Sequence, residues 1–265
     1  MINVRPDFGD KIVTSKEEEV VYTKQEIIQI LKENLKPVKD YVGDKVVGSS
    51  KYVQLAADYG YENYKLCSAA DLMRLKVYSS FSYYQRNFFS ENGATVAIFN
   101  EMNGKVASIV FRAISSKAFM DYSLVYCAYG LDMMDEDFRF GDPIVLTEGI
   151  FDSDVVRTIY KNTLAMLTSN ITMMQAEVLR TITDNFIILF DSDEAGSNGY
   201  GAALKRLLGC KVQNISVFKG DKDVGEMEEH RKADDVFGYT ERRAYYSEKL
   251  QDMTTSYKSE NVFDL

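Results

Sequence analysis

The feature of this sequence that most constrains its fold is an apolar pentad, residues 186–190, that runs directly into the acidic residues Asp191, Asp193 and Glu194. An unbroken apolar run of this length is typical of a strand that is buried on both faces of a parallel sheet. Acidic residues placed directly after such a strand lie at the carboxyl edge of the sheet, where open α/β folds bind their ligands. The segment therefore predicts a parallel sheet with a polar site at that edge.

Strand-like and helix-like stretches alternate through the second half of the chain. The predicted elements are a strand at 144–146, a helix at 151–164, a short strand or turn at 167–168, a helix at 172–181, a strand at 186–190, a helix at 199–208 and a strand at 212–217. This alternation indicates a doubly wound, mostly parallel sheet. An acidic stretch with Gly141 and Pro143 precedes it and predicts a domain boundary near residue 141.

The residues before this boundary predict a mixed α+β subdomain. Its predicted elements are a helix at 24–34, a helix at 51–59, two β-rich runs at 94–100 and 105–114, and a further β-rich run at 122–130. Thr23 and Glu26 form a capping-box pattern at the start of the first helix. The dipeptide Asn103-Gly104 between the two β-rich runs is the strongest short-range indication of a β-hairpin.

Composition excludes several classes of protein. The formal net charge of -9 over 265 residues argues against a protein that coats nucleic acid through bulk electrostatics. One histidine, His230, and three widely spaced cysteines provide no four-ligand zinc set with plausible spacing. The sequence has no run of about 18 apolar residues, and its N-terminus lacks the apolar stretch of a signal peptide. We therefore expect a cytoplasmic protein with no membrane partner.

Three clusters of acidic residues follow predicted strands of the second half. They are Glu148 with Asp152, Asp191 with Asp193, and Asp221 with Asp223 and Glu226. Carboxylates held a few ångströms apart repel one another unless a cation compensates them. Oxygen ligands without histidine or cysteine select Mg²⁺ or Mn²⁺ over zinc. Each cluster alone is more often a solvated loop or a helix cap, but the three together favour a metal site.

The segments EGIFD (148–152), DSDEAG (191–196) and KDVGE (222–226) resemble the motifs of the TOPRIM domain of primases, topoisomerases and related nucleases. The second and third motifs are most similar to the primase branch, which includes the DnaG type and the phage primase-helicase type. The resemblance implies a Rossmann-like TOPRIM domain at 141–228. It also implies a primase-like α+β subdomain with a template groove at 1–140, and a helical tail at 229–265.

The activity implied by the resemblance is that of a DNA-dependent RNA primase core, which joins ribonucleoside triphosphates on single-stranded DNA with Mg²⁺ or Mn²⁺. The implied catalytic residues are Glu148, Asp191 and Asp193, with Asp223 as a further metal ligand. Glu148 completes the metal cluster or acts as a general base. Asp152 and Glu226 are expected to hold these ligands in position without binding the ion themselves.

Basic residues are expected to bind template and nucleotide. The candidates are Lys105, Arg112 and Lys117 on the predicted hairpin, and Lys222 in the third acidic cluster. For Arg112 and Lys117, solvated charges at a strand end are the equally weighted alternative.

Two alternative functions stay open at this point, a TOPRIM nuclease or topoisomerase-related cleavage enzyme and a non-catalytic nucleic-acid-binding replication subunit. The sequence contains neither a zinc module nor a P-loop. The resemblance therefore implies a separate replicative helicase, together with a zinc-bearing or single-strand-binding partner. For a phage-encoded protein the expected location is the host cytoplasm.

Overall fold

The computed structural model describes residues 21–41, 43–45, 47–124, 128–168 and 170–260. Within these ranges it contains nine α-helices and eight β-strands, which form one antiparallel sheet, one parallel sheet and a helical C-terminal segment. The predicted mixed α/β fold is confirmed. The first twenty residues of the predicted N-terminal subdomain, the last five of the predicted tail, and the centre of the predicted β-rich run at 122–130 lie outside the described residues.

The antiparallel sheet lies in the first half of the chain, and its strands are adjacent in sequence order. The strands are β1 (Tyr64–Cys67), β2 (Thr95–Met102), β3 (Lys105–Ala113) and β4 (Phe119–Ser123). The predicted hairpin is confirmed as β2 and β3. Its turn residues Asn103 and Gly104 have φ angles of 54° and 70°, as a two-residue hairpin turn requires. The Asp132 carboxylate accepts hydrogen bonds from both turn amides, at 2.8 and 3.0 Å.

Four helices accompany this sheet. They are α1 (Lys24–Asn34), α2 (Lys51–Tyr59), α3 (Ala69–Arg74) and α4 (Tyr83–Asn92). The first two have the predicted bounds, and Thr23 and Glu26 form the predicted capping box. In α2, Val53 packs with residues of the first sheet, whereas Leu55 packs with residues of the second. This helix therefore lies in the core between the two sheets.

The parallel sheet has the strand order β6-β5-β7-β8. Its strands are β5 (Ile144–Thr147), β6 (Thr163–Ala165), β7 (Asn185–Ile188) and β8 (Lys211–Asn214), and the helices between them are α5 (Ile150–Arg157), α6 (Met173–Ile182) and α7 (Glu194–Arg206). Side chains of β5 and β7 point alternately into two cores. Ile144 and Phe186 belong to one core, and Val145 and Ile187 belong to the other. Both faces of the sheet are covered, as predicted for a doubly wound fold.

Several predicted boundaries in this half are wrong. The predicted helix at 151–164 ends at Arg157, and the predicted strand or turn at 167–168 lies beyond the true strand, Thr163–Ala165. These three residues are fully buried and pair with β5, so tertiary pairing overrides local helix propensity. Helix α7 begins at Glu194 and not at Gly199, because the Asp193 carboxylate caps it.

The C-terminal segment is helical, as predicted. It consists of α8 (Glu226–Lys232) and α9 (Val236–Glu260). Tyr246 and Leu250 of α9 are buried in the core that contains Val145 and Phe151, so α9 is part of the packed molecule. Among the described helices, none is long and apolar enough to span a bilayer.

Candidate functional site

Three loops meet at the carboxyl edge of the parallel sheet, and they carry the three acidic clusters. The Asp191 amide donates to the Glu148 Oε1 atom at 3.2 Å. Ser192 donates its amide to the Lys222 carbonyl at 2.8 Å and its hydroxyl to the Asp221 carbonyl at 2.9 Å. The structure thus brings together three segments that lie far apart in the sequence.

Two glycines allow this close approach. A Cβ atom at Gly196 would lie 2.1 Å from the Asp191 carbonyl oxygen and 2.9 Å from Glu148 Oε1. A Cβ atom at Gly225 would lie 2.9 Å from both Asp152 Oδ1 and Asp223 Oδ1. Because these distances are shorter than any relaxed contact, a side chain at either position would push the acidic loops apart.

The acidic residues raise one another's pKa values. Burial, followed by the charges of Asp223 and Asp191, raises the pKa of Asp152 to about 7, against the opposing effects of Lys51 and of the hydrogen bond from the backbone at position 225. Burial and then Asp191 raise the pKa of Glu148. Burial and then Asp223 raise the pKa of Asp191. Burial therefore disfavours the charged form of each acid, and the neighbouring carboxylates add repulsion that Lys51 and Lys222 only partly offset.

Lys222 is the cation that lies among these acids. Its ammonium group is 3.6 Å from Asp191 Oδ2 and 4.0 Å from Asp193 Oδ2. The Asp191 charge is the largest cause of the raised pKa of Lys222. Glu226 acts on the same loop differently, since its Oε1 atom accepts a hydrogen bond from the Lys222 amide at 2.8 Å. Glu226 thus holds the backbone of the third loop.

The donor chemistry of the site fits a hard divalent cation. Its ligand atoms are carboxylate oxygens, which Mg²⁺ and Mn²⁺ prefer, and the raised pKa values of Glu148 and Asp191 indicate uncompensated negative charge. Across the described parts of the chain, however, no group of three or more metal-ligating side chains is arranged to hold an ion. In the structure, the Lys222 ammonium supplies positive charge to Asp191 and Asp193.

The acidic edge opens into a cleft of about 700 Å³ between the two sheets. Glu148, Asp152 and Asp191 line one side of it, and Arg112 and Phe119 of the antiparallel sheet line the other. The structure therefore brings Arg112 and Lys222, of the predicted basic residues, to the acidic site. The other two lie elsewhere: Lys117 is exposed in the turn between β3 and β4, and Lys105 is exposed beside the hairpin turn at the far end of β3.

An ion pair in the third loop was not predicted from the sequence. Both oxygens of the buried Asp221 carboxylate accept hydrogen bonds from the Arg242 guanidinium of α9, each at 2.6 Å. The Asp221 side chain is therefore directed to α9, while its neighbour Asp223 lies near Gly225 and Asp152. No local pattern links residues 221 and 242, so the sequence offered no signal for this pair.

The parallel sheet and its acidic edge belong to a known class of domain. Residues 145–227 match the family model described as Toprim-like. Apart from Ile144 at the start of β5, this range contains the four parallel strands and the three acidic loops. The chain therefore contains a Toprim-like domain. None of the curated proteins matches the chain.

Solved primase structures share the fold over most of the chain. The Aquifex aeolicus primase, with its zinc-binding and RNA polymerase domains, has a TM-score of 0.56 at 20% identity; the match covers 86% of this chain and 62% of that one. The E. coli primase catalytic core has a TM-score of 0.56 at 15% identity, over 78% of this chain and 76% of that one. A DnaG primase catalytic domain bound to single-stranded DNA has a TM-score of 0.55 at 13% identity, over 86% and 82%. At these identities the likeness is one of fold, and the fold is that of a TOPRIM primase core.

Proposed function

We propose that this protein is the catalytic core of a DNA-dependent RNA primase. It would join ribonucleoside triphosphates on a single-stranded DNA template and release pyrophosphate. The observation that supports this most directly is the acidic edge of the Toprim-like domain, where Glu148 and Asp191 face Arg112 across one cleft. The fold of the molecule, which is shared with primase catalytic cores, supports the same proposal.

Nucleotidyl transfer needs the attacking 3′ oxygen and the leaving pyrophosphate to be held in line while negative charge develops. Mg²⁺ or Mn²⁺, when bound, would neutralise that charge. Glu148, Asp191, Asp193 and Asp223 are the residues that would hold the ion. Glu148, whose pKa is raised, either completes this ligand set or accepts the proton of the attacking hydroxyl. The Lys222 ammonium, which lies 3.6 Å from Asp191 Oδ2, would contact the triphosphate.

In this proposal the antiparallel sheet binds the template. Arg112 contributes a cation to the cleft, and one structure with the same fold is a primase domain bound to single-stranded DNA. Because the chain has a net charge of -9, its own affinity for DNA is expected to be weak and sensitive to salt. A separate replicative helicase, and a zinc-bearing or single-strand-binding partner in the same cytoplasm, would raise the local template concentration.

The test is primer synthesis by the purified chain on single-stranded DNA with labelled ribonucleoside triphosphates and Mg²⁺. We expect short RNA products from the natural protein. Removing an outer partner of a metal ligand typically lowers activity roughly 10- to 100-fold. Asp191→Ala removes a proposed ligand itself, so it should lower the rate of RNA synthesis by more than that. Asp184→Ala is the matched control, since Asp184 is exposed at the opposite end of β7.

Two outcomes would contradict the proposal. Undiminished RNA synthesis by Asp191→Ala would show that the acidic edge is not the metal site. Nicking of DNA in the absence of ribonucleotides, together with no RNA synthesis, would instead favour a TOPRIM nuclease that uses the same edge to cleave.

A further inference from the structure

Phe119 is an exposed aromatic residue at the wall of the cleft. Its side chain is 58% exposed, although it begins a strand of a well-packed sheet. It lies directly opposite Arg112 in the pairing of β3 with β4, and both residues line the cavity that contains Glu148 and Asp191. An exposed aromatic ring inside a ligand-sized cleft is a candidate contact for a ligand with a flat apolar face.

Arg112 is held between two aromatic rings. Its guanidinium carbon is 5.3 Å from the centre of the Tyr52 ring and 5.5 Å from the centre of the Phe119 ring. Its Nε atom is buried and has no hydrogen-bond partner among the described residues. Cation–π contacts of this kind attract the guanidinium group to both rings and favour a defined position of the Phe119 ring beside it.

The two sides of the cleft differ in their chemistry. At one side, Phe119 and Arg112 offer an aromatic ring with a cation beside it, and the Asp121 carboxylate on the same wall accepts a hydrogen bond from the Ser123 hydroxyl. At the other, Glu148 and Asp191 offer the carboxylates that suit a metal-bound phosphate. The volume of about 700 Å³ falls in the usual range for small-molecule sites. A nucleoside triphosphate has the matching order of groups, with an aromatic base at one end and metal-binding phosphates at the other.

We propose that Phe119, supported by Arg112 and Tyr52, is the platform on which the base of a nucleoside triphosphate stacks while its phosphates reach the acidic edge. This inference rests on the proposed function, because it assigns the base position of that same site. Stacking on an aromatic side chain accepts any base, since every base has a π face. The platform therefore contributes affinity without selecting a sequence.

The chain contains no tryptophan, so Phe119→Trp introduces a single fluorescent reporter at the platform. We expect ATP with Mg²⁺ to quench its fluorescence saturably. Inorganic triphosphate with Mg²⁺, which has no base, should not quench it. Phe140→Trp is the matched control, because Phe140 is 65% exposed in the turn before β5, at the opposite edge of the parallel sheet, and ATP should leave its fluorescence unchanged.

Kinetics provide a second readout. Phe119→Ala should raise the KM for ribonucleotides about tenfold, as expected for the loss of one stacking contact, and should leave kcat nearly unchanged. Phe119→Tyr, which keeps the ring, should restore the natural KM. A merely structural role would lower the amount of folded protein, and with it the apparent kcat, without moving KM.

The outcomes separate this inference from the proposed function. RNA synthesis with an unchanged KM in Phe119→Ala would overturn the platform while leaving the primase proposal intact. Saturable quenching by ATP in a chain that makes no RNA would support the platform without the primase activity. Quenching by a single-stranded oligonucleotide, but not by ATP, would overturn the nucleotide assignment and place a template base there instead.

Discussion

Asp152 shows at the scale of a single residue how little of the acidic edge is neutralised. Its carboxyl group lines the cleft beside Glu148 and Asp191, and the Gly225 backbone approaches it there. Its pKa is about 7, raised from the ordinary 3.8 by burial and by Asp223 and Asp191. In acidic solution, Asp152 is protonated in both the folded and the unfolded chain. At neutral pH, by contrast, folding places the Asp152 carboxylate beside those of Asp223 and Asp191.

The sign of its effect on stability follows from this raised pKa. The folded chain binds the Asp152 proton more tightly than the unfolded chain, so the stability that protonation provides is lost as the pH rises from 3.8 towards 7. Asp152→Asn removes the charge and keeps an acceptor for the Gly225 amide. We expect it to stabilise the metal-free protein by about 2 kcal/mol at pH 8, with the gain shrinking towards pH 4.

Thermal unfolding of the natural chain and Asp152→Asn, in a chelator between pH 4 and pH 8, measures this difference. Asp184→Asn, at an exposed position on the same sheet, should show no pH-dependent gain. A variant less stable than the natural chain at pH 8 would mean that the Asp152 charge is compensated in the folded protein.

At the scale of elements, short sequence patterns predicted the start of a helix and the turn of a hairpin. Thr23 with Glu26 marked the start of α1, and Asn103-Gly104 marked the hairpin. Helices α3 and α4 were missed, although Ser68 with Asp71 and Ser82 with Gln85 form capping boxes of the same kind. Strand β6 could not be predicted, because its three residues are too few for a pattern and only pairing with β5 makes them a strand.

Helix α9 was predicted only as a tail, yet it holds the third acidic loop in place. Arg242 binds both oxygens of Asp221, the Asp221 carbonyl accepts from Ser192, and Lys222 follows directly in the chain. We expect Arg242→Gln to release this loop from α9. Loss of an outer partner at a metal site typically lowers activity about 10- to 100-fold. The variant should therefore make RNA more slowly by about that factor and should need a higher Mg²⁺ concentration for activity.

Arg243→Gln is the matched control for this prediction. Arg243 lies beside Arg242 on α9 but donates to the Thr158 carbonyl at 3.2 Å, so its loss loosens the helix without touching the loop. Hydrogen exchange of the Ser192 and Lys222 amides should accelerate in Arg242→Gln alone. Equal exchange and equal Mg²⁺ dependence in the two variants would refute the positioning role of Arg242.

At the scale of the whole molecule, a buried polar network joins the two halves of the chain. Asp154 of α5 is fully buried and accepts hydrogen bonds from the hydroxyls of Tyr64 on β1 and Tyr129, the latter at 3.3 Å. Arg157 forms an ion pair with the same carboxylate. Burial raises the pKa of Asp154 to about 6, with Arg157 the main opposing influence.

This network could not be predicted from the sequence, and the cleft was expected only as the template groove that the family resemblance implies. The convergence of Glu148, Asp191 and Asp223 was predictable because parallel strands end at one edge of a sheet. Tyr64 and Asp154, by contrast, are 90 residues apart and meet only because the two sheets pack against each other. Arg112 faces the acids for the same reason, and the residue pattern of β3 does not predict how the two sheets pack.

The network predicts how the two halves depend on each other. Arg157→Met leaves the Asp154 charge buried without its ion-pair partner, which typically costs about 3 to 5 kcal/mol. Because protonation removes that charge, the loss should be large at pH 8 and should shrink as the pH falls towards about 6, the pKa of Asp154 in the natural chain. In more acidic solution it should stay constant, since Asp154 is then neutral in both chains. The double variant Asp154→Asn with Arg157→Met should recover part of the loss at pH 8, since no buried charge remains and the tyrosine hydroxyls keep an acceptor.

Urea unfolding followed by circular dichroism at pH 5 and pH 8 measures these differences. The matched control is Arg180→Met, because the described hydrogen bonds of Arg180 go only to carbonyl groups. Its loss therefore leaves no buried carboxylate without a partner. A pH-independent loss in Arg157→Met, equal to that of the double variant, would mean that Arg157 acts by packing alone. The pH-dependent outcome would instead mean that Arg157 compensates the buried Asp154 charge. This charged pair of α5, bound to the hydroxyls of Tyr64 and Tyr129, would then stabilise the packing of the antiparallel sheet against the Toprim-like domain.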